Sequence, residues 1–376
     1  MIKSIKYYLW NILMRFVHII FCVKSNRVYF NSFDGAAYCD NPKALCNAIH
    51  CRWGDQLEYV WLFNNGINID NVPSFVKKRR RTIWRVLYYM CTSKVWIMNT
   101  AVPHGTYKSK KQIYIQTWHG DCAFKKILGD VPYNPVIYEE SNILDLLVVG
   151  SDYGKKVISH AFGFLGEVMA TGCPRNDIFF QENSAICESI REKYGLTSHH
   201  KILMYAPTFR RKFRNQVQHV GLDLEKVLEI LRSKGTDDWK ILVRSHIANS
   251  VKGLDVERSS DIIDVTAYPD MNELLLITDI LITDYSSSAG DFALTGRLVL
   301  LYQDDLKEYT DEDRSLYFSQ SPFIISYTPD EFYTKLLNRN EIDIKRNCED
   351  ILSFLETHEK GEGALSVVKY ISDVLK

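Results

Sequence analysis

Short runs of apolar and β-branched residues alternate along the chain with longer segments of helical periodicity. The runs occupy residues 27–33, 59–64, 94–99, 112–118, 144–151, 167–172, 201–209, 240–246, 262–266, 279–284, 297–302 and 323–327. Continuous apolar strands separated by helical segments are typical of parallel sheets whose two faces are both covered. The pattern occurs once before and once after about residue 185. It predicts an α/β protein with two doubly wound domains that face each other across a cleft.

The N-terminal stretch MIKSIKYYLWNILMRFVHIIFCVK combines strong apolarity with an ordered set of polar positions. Lys3, Asn11, Arg15 and His18 fall at helical spacings, which predicts one narrow polar stripe on an otherwise apolar helix. Its uncharged runs are shorter than a bilayer-spanning helix requires, and no small-residue cleavage site follows them. We expect an amphipathic helix lying in the plane of a membrane. The alternatives are a helix packed on the domain and a spanning helix that carries Arg15.

The loops that follow the predicted strands are rich in polar residues, and doubly wound sheets bind their ligands at this edge. The most informative loop, within DILITDYSSSAGDFALTG, leads from a buried strand through three serines into a helix. Its candidate residues are Thr283, Asp284, Tyr285, Ser286, Ser287 and Ser288. Hydroxyls and unpaired N–H groups at a helix N-terminus suit an anionic phosphate. A simple helix cap requires the same serines, and spacing alone does not separate the two interpretations.

Arginines stand at three further strand ends. Arg175 lies in TGCPRND, Arg210 in YAPTFRR and Arg244 in KILVRSH. The planar guanidinium group donates two hydrogen bonds to a phosphate at once. One such arginine is usually a solvated charge, but three of them together with a serine-rich helix start predict a diphosphate ligand.

Two histidines, His119 and His246, follow strands in opposite halves of the chain. Histidine exchanges a proton readily near neutral pH, so one of them is suited to take a proton from an attacking hydroxyl while the other steadies phosphate. A lone histidine is more often a structural residue, and the position at a strand end is what singles out these two.

Composition and charge narrow the classes of function. The 376 residues are 46% hydrophobic, enough for two domains with sizeable cores, and the net charge of zero argues against nucleic-acid binding. The nine cysteines show no zinc-site spacing, and we interpret them as small buried residues of a reducing compartment. The acidic pair Asp304-Asp305 and the run 311–314 read as solvated surface. We therefore expect no obligatory metal or other cofactor.

The motifs in these loops resemble those of the CDP-glycerol glycerophosphotransferase family, which makes teichoic acid and related polyol-phosphate or capsule polymers. The resemblance runs from about Arg27 to the C-terminus. It comprises, in the family's order, VYFNSFDGAAYCDNPKAL, SKVWIMNT, QTWHGDCAFKKILGD, VGSDY, TGCPRND, MYAPTFR, an Arg-x-His strand end, DMNELLLITDILITDYSSSAGDFAL and HEKGEGALSVVKYI.

This resemblance implies a GT-B fold with two Rossmann-like domains. The expected parts are a membrane-associating helix (1–25), an acceptor domain (26–185), a nucleotide-donor domain (186–360) and a C-terminal helix (361–376) that packs back on the first domain. The implied reaction transfers glycerol phosphate or another polyol phosphate from CDP-glycerol or CDP-ribitol to a hydroxyl of a lipid-linked or polymeric glycan, and releases CMP. With the apolar helix and the basic run 77–81, it favours a peripheral position on the anionic cytoplasmic face of the plasma membrane.

The resemblance also implies roles for individual residues. His119 is the candidate general base, and His246 the second catalytic histidine, on the donor phosphates. The donor-binding set comprises Gly120, Arg175, Arg210, Arg244, Glu273, Thr283, Asp284, Tyr285, Ser286, Ser287 and Ser288. The acceptor-binding set comprises Asp121, Lys125 and Lys126. Asn41 and Lys43 are candidates either for acceptor binding or for a structural role, and we favour the structural role.

The chain departs from the family at two places. Asp121-Cys122-Ala123-Phe124-Lys125 replaces the family's Thr-Pro-Leu-Lys, and His246-Ile247 replaces His-Pro. These changes keep both histidines but put the identity of the substrate in question. A GT-B glycosyltransferase that uses a nucleotide sugar fits the histidine and diphosphate arguments equally well, and an inactive membrane-bound scaffold is a third hypothesis.

Overall fold

The computed structural model of the protein describes residues 2–131, 140–208, 210, 218–219, 221–245, 254–255, 259–313, 315–318 and 320–375. The chain divides into two compact units. Unit 1 comprises Met1–Asp121, Ile127–Phe180 and Thr357–Lys376, and unit 2 comprises Cys122–Lys126 and Gln181–Glu356. The divisions after Phe180 and Glu356 lie five and four residues before the boundaries expected at 185 and 360.

Unit 1 is built on a seven-stranded parallel sheet with the order β3-β2-β1-β4-β5-β6-β7. Its strands are β1 (Lys24–Asn31), β2 (Glu58–Phe63), β3 (Val76–Arg80), β4 (Ser93–Met98), β5 (Ile113–Gln116), β6 (Leu146–Val149) and β7 (Glu167–Ala170). Every described pairing is parallel.

Unit 2 is built on a six-stranded parallel sheet with the order β12-β10-β8-β13-β14-β15. These strands are β8 (His200–Tyr205), β10 (Asp238–Val243), β12 (Ile262–Asp264), β13 (Ile280–Thr283), β14 (Leu298–Tyr302) and β15 (Ile324–Ser326); β9 (Gln218–His219) and β11 (Leu254–Asp255) form a separate pair. In both units the first strand lies between the second and the fourth, as in nucleotide-binding doubly wound sheets. The predicted α/β class with two Rossmann-like units is confirmed.

Helices connect the strands, as parallel sheets require. The described α-helices are α1 (Ile2–Ile20), α2 (Asp40–Trp53), α3 (Ile83–Thr92), α4 (Asp152–Phe162), α5 (Ser184–Lys193), α6 (Leu224–Arg232), α7 (Met271–Leu276), α8 (Ser288–Ala293), α9 (Leu306–Glu308), α10 (Pro329–Leu337), α11 (Ile344–Leu355) and α12 (Gly363–Leu375). Several begin at a hydroxyl cap: Ser151 accepts from the Gly154 N–H, and Thr328 accepts from the Glu331 N–H one residue before a first-turn proline.

Strand β3 is missing from the predicted set, because its sequence Val-Lys-Lys-Arg-Arg carries no apolar alternation. It lies at the edge of the sheet, where charged side chains are tolerated. Lys77 forms an ion pair with Glu58 of β2, and Lys78 Nζ donates to the Val72 carbonyl at 2.9 Å. Residues 77–80 of the basic run 77–81 are therefore part of the unit 1 sheet.

The core of unit 1 is aromatic where β1 and β2 pair. The rings of Phe30 and Trp61 stack with their centroids 5.6 Å apart, and both side chains are fully buried. Burial of one such side chain contributes about 1.5–3 kcal/mol. Arg27, also buried, donates from Nε to Glu58 and from Nη1 to Thr92 Oγ1, both at 2.6 Å, which compensates for its desolvation.

Helix α1 turns part of its polar stripe toward the protein. Asn11 Nδ2 donates to the Gly105 carbonyl at 3.0 Å, and the Arg15 guanidinium lies 4.1 Å from the centre of the Tyr107 ring. The next turn of the helix contributes Met14 to the core. These contacts bear out the alternative in which the helix packs on the domain.

The opposite face of α1 is exposed and apolar. It presents Ile5, Tyr8, Leu9, Ile12, Phe16, Ile19 and Ile20, and the adjoining helix α3 adds Ile83 and Trp84. In the described part of the chain, no helix has both the length and the apolar content needed to cross a bilayer. The amphipathic helix predicted from the sequence thus packs on the protein with its polar side and exposes its apolar side.

Candidate active site

His119 follows β5 in unit 1, where its ring orientation is fixed by the neighbouring strand. Its Nδ1 lies 2.6 Å from the carbonyl oxygen of Asn99, the residue that follows β4. A carbonyl only accepts, so Nδ1 carries a proton in this contact, and in the neutral form of the ring the lone pair is on Nε2. The rings of Phe33 and Trp118 contact the imidazole, with centroids 5.3 and 4.1 Å away. This arrangement gives His119 the tautomer that a general base needs.

Asn41 holds the backbone just before His119. Its Nδ2 donates to the carbonyls of Thr117 and Trp118 at 3.3 and 3.1 Å, and its Oδ1 accepts from the Arg175 N–H at 2.9 Å. Trp118 has a φ of 48°, in the left-handed region that side chains other than glycine rarely adopt. The fully buried amide therefore stabilises a strained turn. The structural role expected for Asn41 is what its contacts show.

Asp121 lies on the other side of His119, and Gly120 between them is buried. The Asp121 carboxylate accepts from the Gly150 N–H at 2.8 Å and from Ser151 Oγ at 2.5 Å. Ser151 in turn caps helix α4. The carboxylate therefore joins the loop after β5 to the loop after β6 inside unit 1. This geometry gives Asp121 a positioning role that differs from the acceptor contact expected from the sequence.

Arg175 and the rest of TGCPRND also lie in unit 1. The Arg175 guanidinium is 4.0 Å from Asp40, and its side chain is buried. Asp177 accepts from the N–H groups of Gly363 and Ala364 at 2.9 and 2.8 Å, at the start of helix α12. Glu359 accepts from the Cys173 N–H and from Asn176 Nδ2. Much of this motif thus anchors the C-terminal segment, while the loops after β8 and β13, which the sequence predicts to bind the donor, belong to unit 2.

The serine loop of unit 2 follows β13. Thr283 Oγ1 donates to the Ala206 carbonyl at 2.6 Å, and Tyr285 is buried against Tyr309 with ring centroids 3.9 Å apart. Ser286 Oγ lies 2.9 Å from Ser288 Oγ and accepts from the Ser288 N–H at 3.3 Å. Thr283 and Tyr285 therefore build the loop. Ser286 and Ser287, which are partly exposed, are the loop's candidates for ligand contact.

Arg210 lies between two carboxylates in unit 2. Its Nη2 donates to Asp284 at 2.8 Å, its Nε donates to Asp305 at 2.6 Å, and its Nη1 donates to the carbonyl and hydroxyl oxygens of Thr208. Burial opposes ionisation of Asp305, but the bonds to Arg210 hold the pKa of Asp305 below its ordinary value. The expectation that Asp304-Asp305 is solvated surface is wrong for Asp305, which is a partly buried ion-pair partner of Arg210. The guanidinium braces three strand-end loops.

Arg244 and Glu273 belong to one polar cluster near the ends of β10 and β12. Tyr268 donates to Glu273 Oε2 at 2.6 Å, and the ring centroids of Tyr268 and Tyr194 are 6.3 Å apart. Burial raises the pKa of Tyr194, and the positive charge of Arg244 lowers it in part. Lys193 Nζ lies over both rings, 5.7 Å from the centre of Tyr194 and 5.1 Å from the centre of Tyr268. The cluster of aromatic rings, cations and a carboxylate is a candidate for nucleoside contact. Tyr194 and Tyr268 are absent from the predicted site, and no motif marks them in the sequence.

Lys125 and Lys126 lie in the segment Cys122–Lys126, which belongs to unit 2. Lys125 forms an antiparallel bridge with Leu316, and the Lys126 N–H donates to the Ser315 carbonyl at 2.8 Å. Cys122 packs against Gly290 of helix α8, where an added Cβ would lie 2.6 Å from the Cys122 Cβ. The segment that departs from the family motif is thus seated beside the serine loop.

Other predicted features concern residues beyond these clusters. His246 lies outside the described residues. Within the described residues, no group of three or more His, Cys, Asp or Glu side chains has an arrangement suited to a metal ion. Six of the nine cysteines are buried: Cys39, Cys46, Cys91, Cys122, Cys173 and Cys348.

The order of these loops is that of a known family. The profile of CDP-glycerol:poly(glycerophosphate) glycerophosphotransferases matches residues 12–372. The chain belongs to this family. Residues of both units, from helix α1 to helix α12, fall within the match, so the site clusters of units 1 and 2 are parts of one family pattern.

Characterised relatives of this glycerophosphotransferase chain come from teichoic acid synthesis. A teichoic acid glycerol-phosphate transferase of Staphylococcus aureus is 32% identical over 312 residues, 78% of this chain and 77% of the relative. A teichoic acid poly(glycerol phosphate) polymerase of Bacillus spizizenii is 29% identical over 330 residues, 82% and 83% of the two chains.

Solved structures with a similar fold include an enzyme of the same process. The wall teichoic acid polymerase TagF superposes with a TM-score of 0.83 at 25% identity, over 99% of this chain and 97% of that one. A histidine variant of TagF soaked with CDPG superposes with a TM-score of 0.82. A putative UDP-N-acetylglucosamine 2-epimerase from Listeria monocytogenes, at 12% identity and a TM-score of 0.54 over 93% and 96% of the two chains, shares the fold alone.

Proposed function

We propose that the protein transfers glycerol phosphate from CDP-glycerol to a hydroxyl group of a lipid-linked glycan in teichoic acid synthesis, with release of CMP. The observation that carries the proposal is the fixed tautomer of His119 in a chain that belongs to the glycerophosphotransferase family. CDP-ribitol is the other donor with the same activated phosphate, and the expected GT-B arrangement of an acceptor and a donor domain remains part of this proposal.

The proposed chemistry is a displacement at the phosphorus that carries glycerol. The acceptor hydroxyl attacks this phosphorus, its proton passes to Nε2 of His119, and the bond between this phosphorus and the bridging oxygen breaks. CMP keeps that oxygen and leaves. Because Nδ1–H of His119 is bonded to the Asn99 carbonyl, the positive charge that forms on the ring is stabilised by that contact.

The donor half of the proposal rests on unit 2. Ser286 and Ser287 offer hydroxyls beside the start of helix α8, and the Arg244–Tyr194–Tyr268–Glu273 cluster offers aromatic and charged groups for cytidine and ribose. Arg210 supports donor binding through the loops that it braces. Arg175, His246, Lys125 and Lys126 keep their proposed roles in donor and acceptor binding.

The proposal extends to a peripheral position on the cytoplasmic face of the plasma membrane. The exposed apolar face of α1, continued by Ile83 and Trp84, supports insertion into the interface of a bilayer. The exposed side chains of Arg79 and Arg80 support attraction to anionic lipids. An enzyme held there reaches a lipid-linked acceptor without leaving the membrane surface.

The test is release of CMP from CDP-glycerol and from CDP-ribitol in the presence of a synthetic prenyl-diphosphate disaccharide. We expect His119→Ala to lower turnover about 100- to 10,000-fold, the range for loss of a general base. His160→Ala is the matched control, because His160 belongs to the same unit and its side chain is 78% exposed. It is expected to retain wild-type turnover.

Undiminished turnover in folded His119→Ala would exclude the assignment of His119 as the base. Stronger thermal stabilisation by a UDP- or GDP-sugar than by either CDP-polyol would favour a nucleotide-sugar glycosyltransferase instead. Absence of CMP release with every donor would favour the inactive scaffold.

A further inference from the structure

Unit 2 contains a cavity of about 520 Å³, within the range of about 300–1,000 Å³ that small-molecule sites occupy. It lies at the carboxyl ends of β14 and β15, where Gln303 and Tyr327 follow the two strands. Strand β14 pairs with β13, which carries the serine loop. A ligand in this cavity would therefore lie at the same sheet edge as the proposed donor site, displaced by one to two strands.

The wall of the cavity is formed in part by the segment that departs from the family motif. Phe124 is buried against Phe318 and Phe323, with ring centroids 5.0 and 5.1 Å away. The Tyr317 N–H donates to the Phe124 carbonyl at 2.8 Å, which fixes the segment along residues 315–317. The divergent sequence after His119 thus shapes this cavity directly.

The cavity combines aromatic surface with hydrogen-bonding groups. The rings of Phe124, Tyr317, Phe318 and Tyr327 line it, and Tyr327 is 45% exposed. Ser321 Oγ is buried and has no hydrogen-bond partner among the described residues. Burial of a hydroxyl group without a hydrogen-bond partner destabilises the protein, and a hydrogen bond to a ligand hydroxyl would remove this cost.

The charge of the cavity distinguishes between ligand classes. Lys307 lines it and has no ion-pair partner in the described part of the chain. Exposed carboxylates at Asp304 and Glu308 flank Lys307, so the local field is not strongly positive. A bare phosphate favours clustered cations, and a lipid tail disfavours free hydroxyl and amide groups. Aromatic faces with a few neutral hydrogen-bonding groups and one lysine suit sugar rings that bear hydroxyl groups.

We propose that this cavity binds the sugar residues of the acceptor and sets which acceptor the enzyme uses. The cavity belongs to unit 2, so this proposal moves acceptor recognition out of the acceptor domain expected at residues 26–185, and only Phe124 of the lining comes from that range. The proposal rests on the proposed function for the identity of the reaction, but the site itself is defined by the cavity. The sugar rings stack on Tyr327 and Tyr317, and their hydroxyl groups bond to Ser321 and Lys307. The divergent Phe124 then accounts for an acceptor preference peculiar to this chain.

The test uses the full chain with Tyr327→Ala, with Lys307→Gln and with both changes. Binding of a short-alkyl diphosphate disaccharide is measured by saturation-transfer NMR, and CMP release from CDP-glycerol is measured in parallel. We expect Tyr327→Ala to raise Kd and KM for the disaccharide acceptor about tenfold, the effect of losing one aromatic contact. The KM for CDP-glycerol should not change.

The matched control is Lys345→Gln, since Lys345 is an 87% exposed lysine of the same unit and lies outside the cavity. Lys307→Gln changes an exposed residue, so it tests the proposal even if Tyr327→Ala does not fold. An unchanged Kd for the disaccharide, or a rise confined to the KM for CDP-glycerol, would overturn the assignment. Disaccharide binding that is lost in the variants without any CMP release by the wild type would support the sugar site and reject the proposed reaction.

Discussion

Around His119, the polar residues of the motif divide into those that face a reaction and those that hold the loop. Asn41 bonds to the backbone just before the histidine, and the Asn99 carbonyl bonds to the histidine ring. Asp121, two residues after the histidine, bonds to Gly150 and Ser151. The bonds from the Gly150 N–H and Ser151 Oγ are sufficient to explain why a buried aspartate stands here in place of the family's threonine. A residue that looks like a specificity determinant in the sequence here supports the loop that carries His119.

Removal of the Asp121 carboxylate tests this positioning role. In Asp121→Ala, Gly150 N–H and Ser151 Oγ lose an acceptor inside the protein, so we expect the free energy of unfolding to fall by about 1–3 kcal/mol. Asp55→Ala changes a 99% exposed carboxylate in the same unit and should stay within about 0.5 kcal/mol. Urea denaturation measures both. An Asp121→Ala variant as stable as the wild type but with a weakened acceptor KM would restore the acceptor role.

A second residue-scale prediction concerns Glu140, whose carboxylate is buried beside β5. Burial raises the pKa of Glu140 to about 7, although hydrogen bonds from Tyr114, Gln116 and the Val102 N–H lower it in part. The folded protein therefore binds a proton that the unfolded chain releases near pH 4.5. The stability that this proton provides is complete below about pH 4.5 and is lost as the pH rises to about 7.

Glu140→Gln removes this titration and keeps an acceptor for Tyr114. We expect its free energy of unfolding, relative to the wild type, to rise with pH and to level off above about pH 7, by a total on the order of 3 kcal/mol. Denaturation curves measured from pH 5 to pH 8 check the trend. A difference between the two proteins that is independent of pH would show that Glu140 titrates with an ordinary pKa.

At the scale of elements, the C-terminal helix α12 is built into unit 1 by two motifs that are distant in sequence. Asp177 caps its start, and Gly363 lies so close to Gly172 that a Cβ on Gly363 would be 2.6 Å from the Gly172 carbonyl oxygen. Two glycines and one carboxylate therefore fix where the last helix begins. This explains their presence without any contact to substrate.

Gly363→Ala tests the close approach. The added methyl group would force the backbone of 172–173 or of α12 to move, so we expect a loss of about 1–3 kcal/mol in the free energy of unfolding. Gly235→Ala serves as the control, because the nearest atom to its added Cβ is 3.9 Å away. Equal stabilities of the two variants, compared by thermal and urea unfolding, would contradict the packing described for α12.

At the scale of the whole molecule, α1 and the start of α3 carry a continuous row of exposed apolar side chains. Helix α1 is anchored by its polar side chains to residues 105–107, so its apolar side remains exposed where a soluble helix would bury it. The proposed membrane position follows from this orientation of the helix rather than from its apolar content alone.

Charge on the apolar face should abolish membrane binding. We expect Phe16→Glu combined with Ile19→Glu to reduce sedimentation with vesicles of anionic lipid at least tenfold. The two substitutions remove apolar groups that would insert into the bilayer, and the anionic lipids repel the new carboxylates. Leu165→Glu places a carboxylate at a fully exposed leucine outside the surface and should not change binding. Turnover with a short-alkyl acceptor should stay normal in both. Vesicle binding unaffected by the double change would refute this surface.

Prediction from the sequence succeeded where the signal is local and failed where partners are far apart. Apolar runs predicted all the buried central strands, but not β3, whose charged residues are accommodated only because it lies at a sheet edge next to Glu58. Arg210 looked like a phosphate ligand, yet its partners Asp284 and Asp305 lie 74 and 95 residues away. Tyr194 and Tyr268, the aromatic candidates for nucleoside contact, belong to no motif that would identify them in the sequence.

The sequence by itself determined the two doubly wound units and the loops that carry chemistry, since periodicity, turns and ordered motifs are local properties of the chain. Only the tertiary structure decided which polar groups are bonded internally and which remain available. A buried carboxylate or guanidinium forms hydrogen bonds with the donors or acceptors that the fold brings within about 3 Å. These partners are often far away in the sequence, so the sequence does not identify them. For this reason the sequence could single out His119, Asp121 and Arg210, but the internal bonds of Asp121 and Arg210 were visible only in the structure.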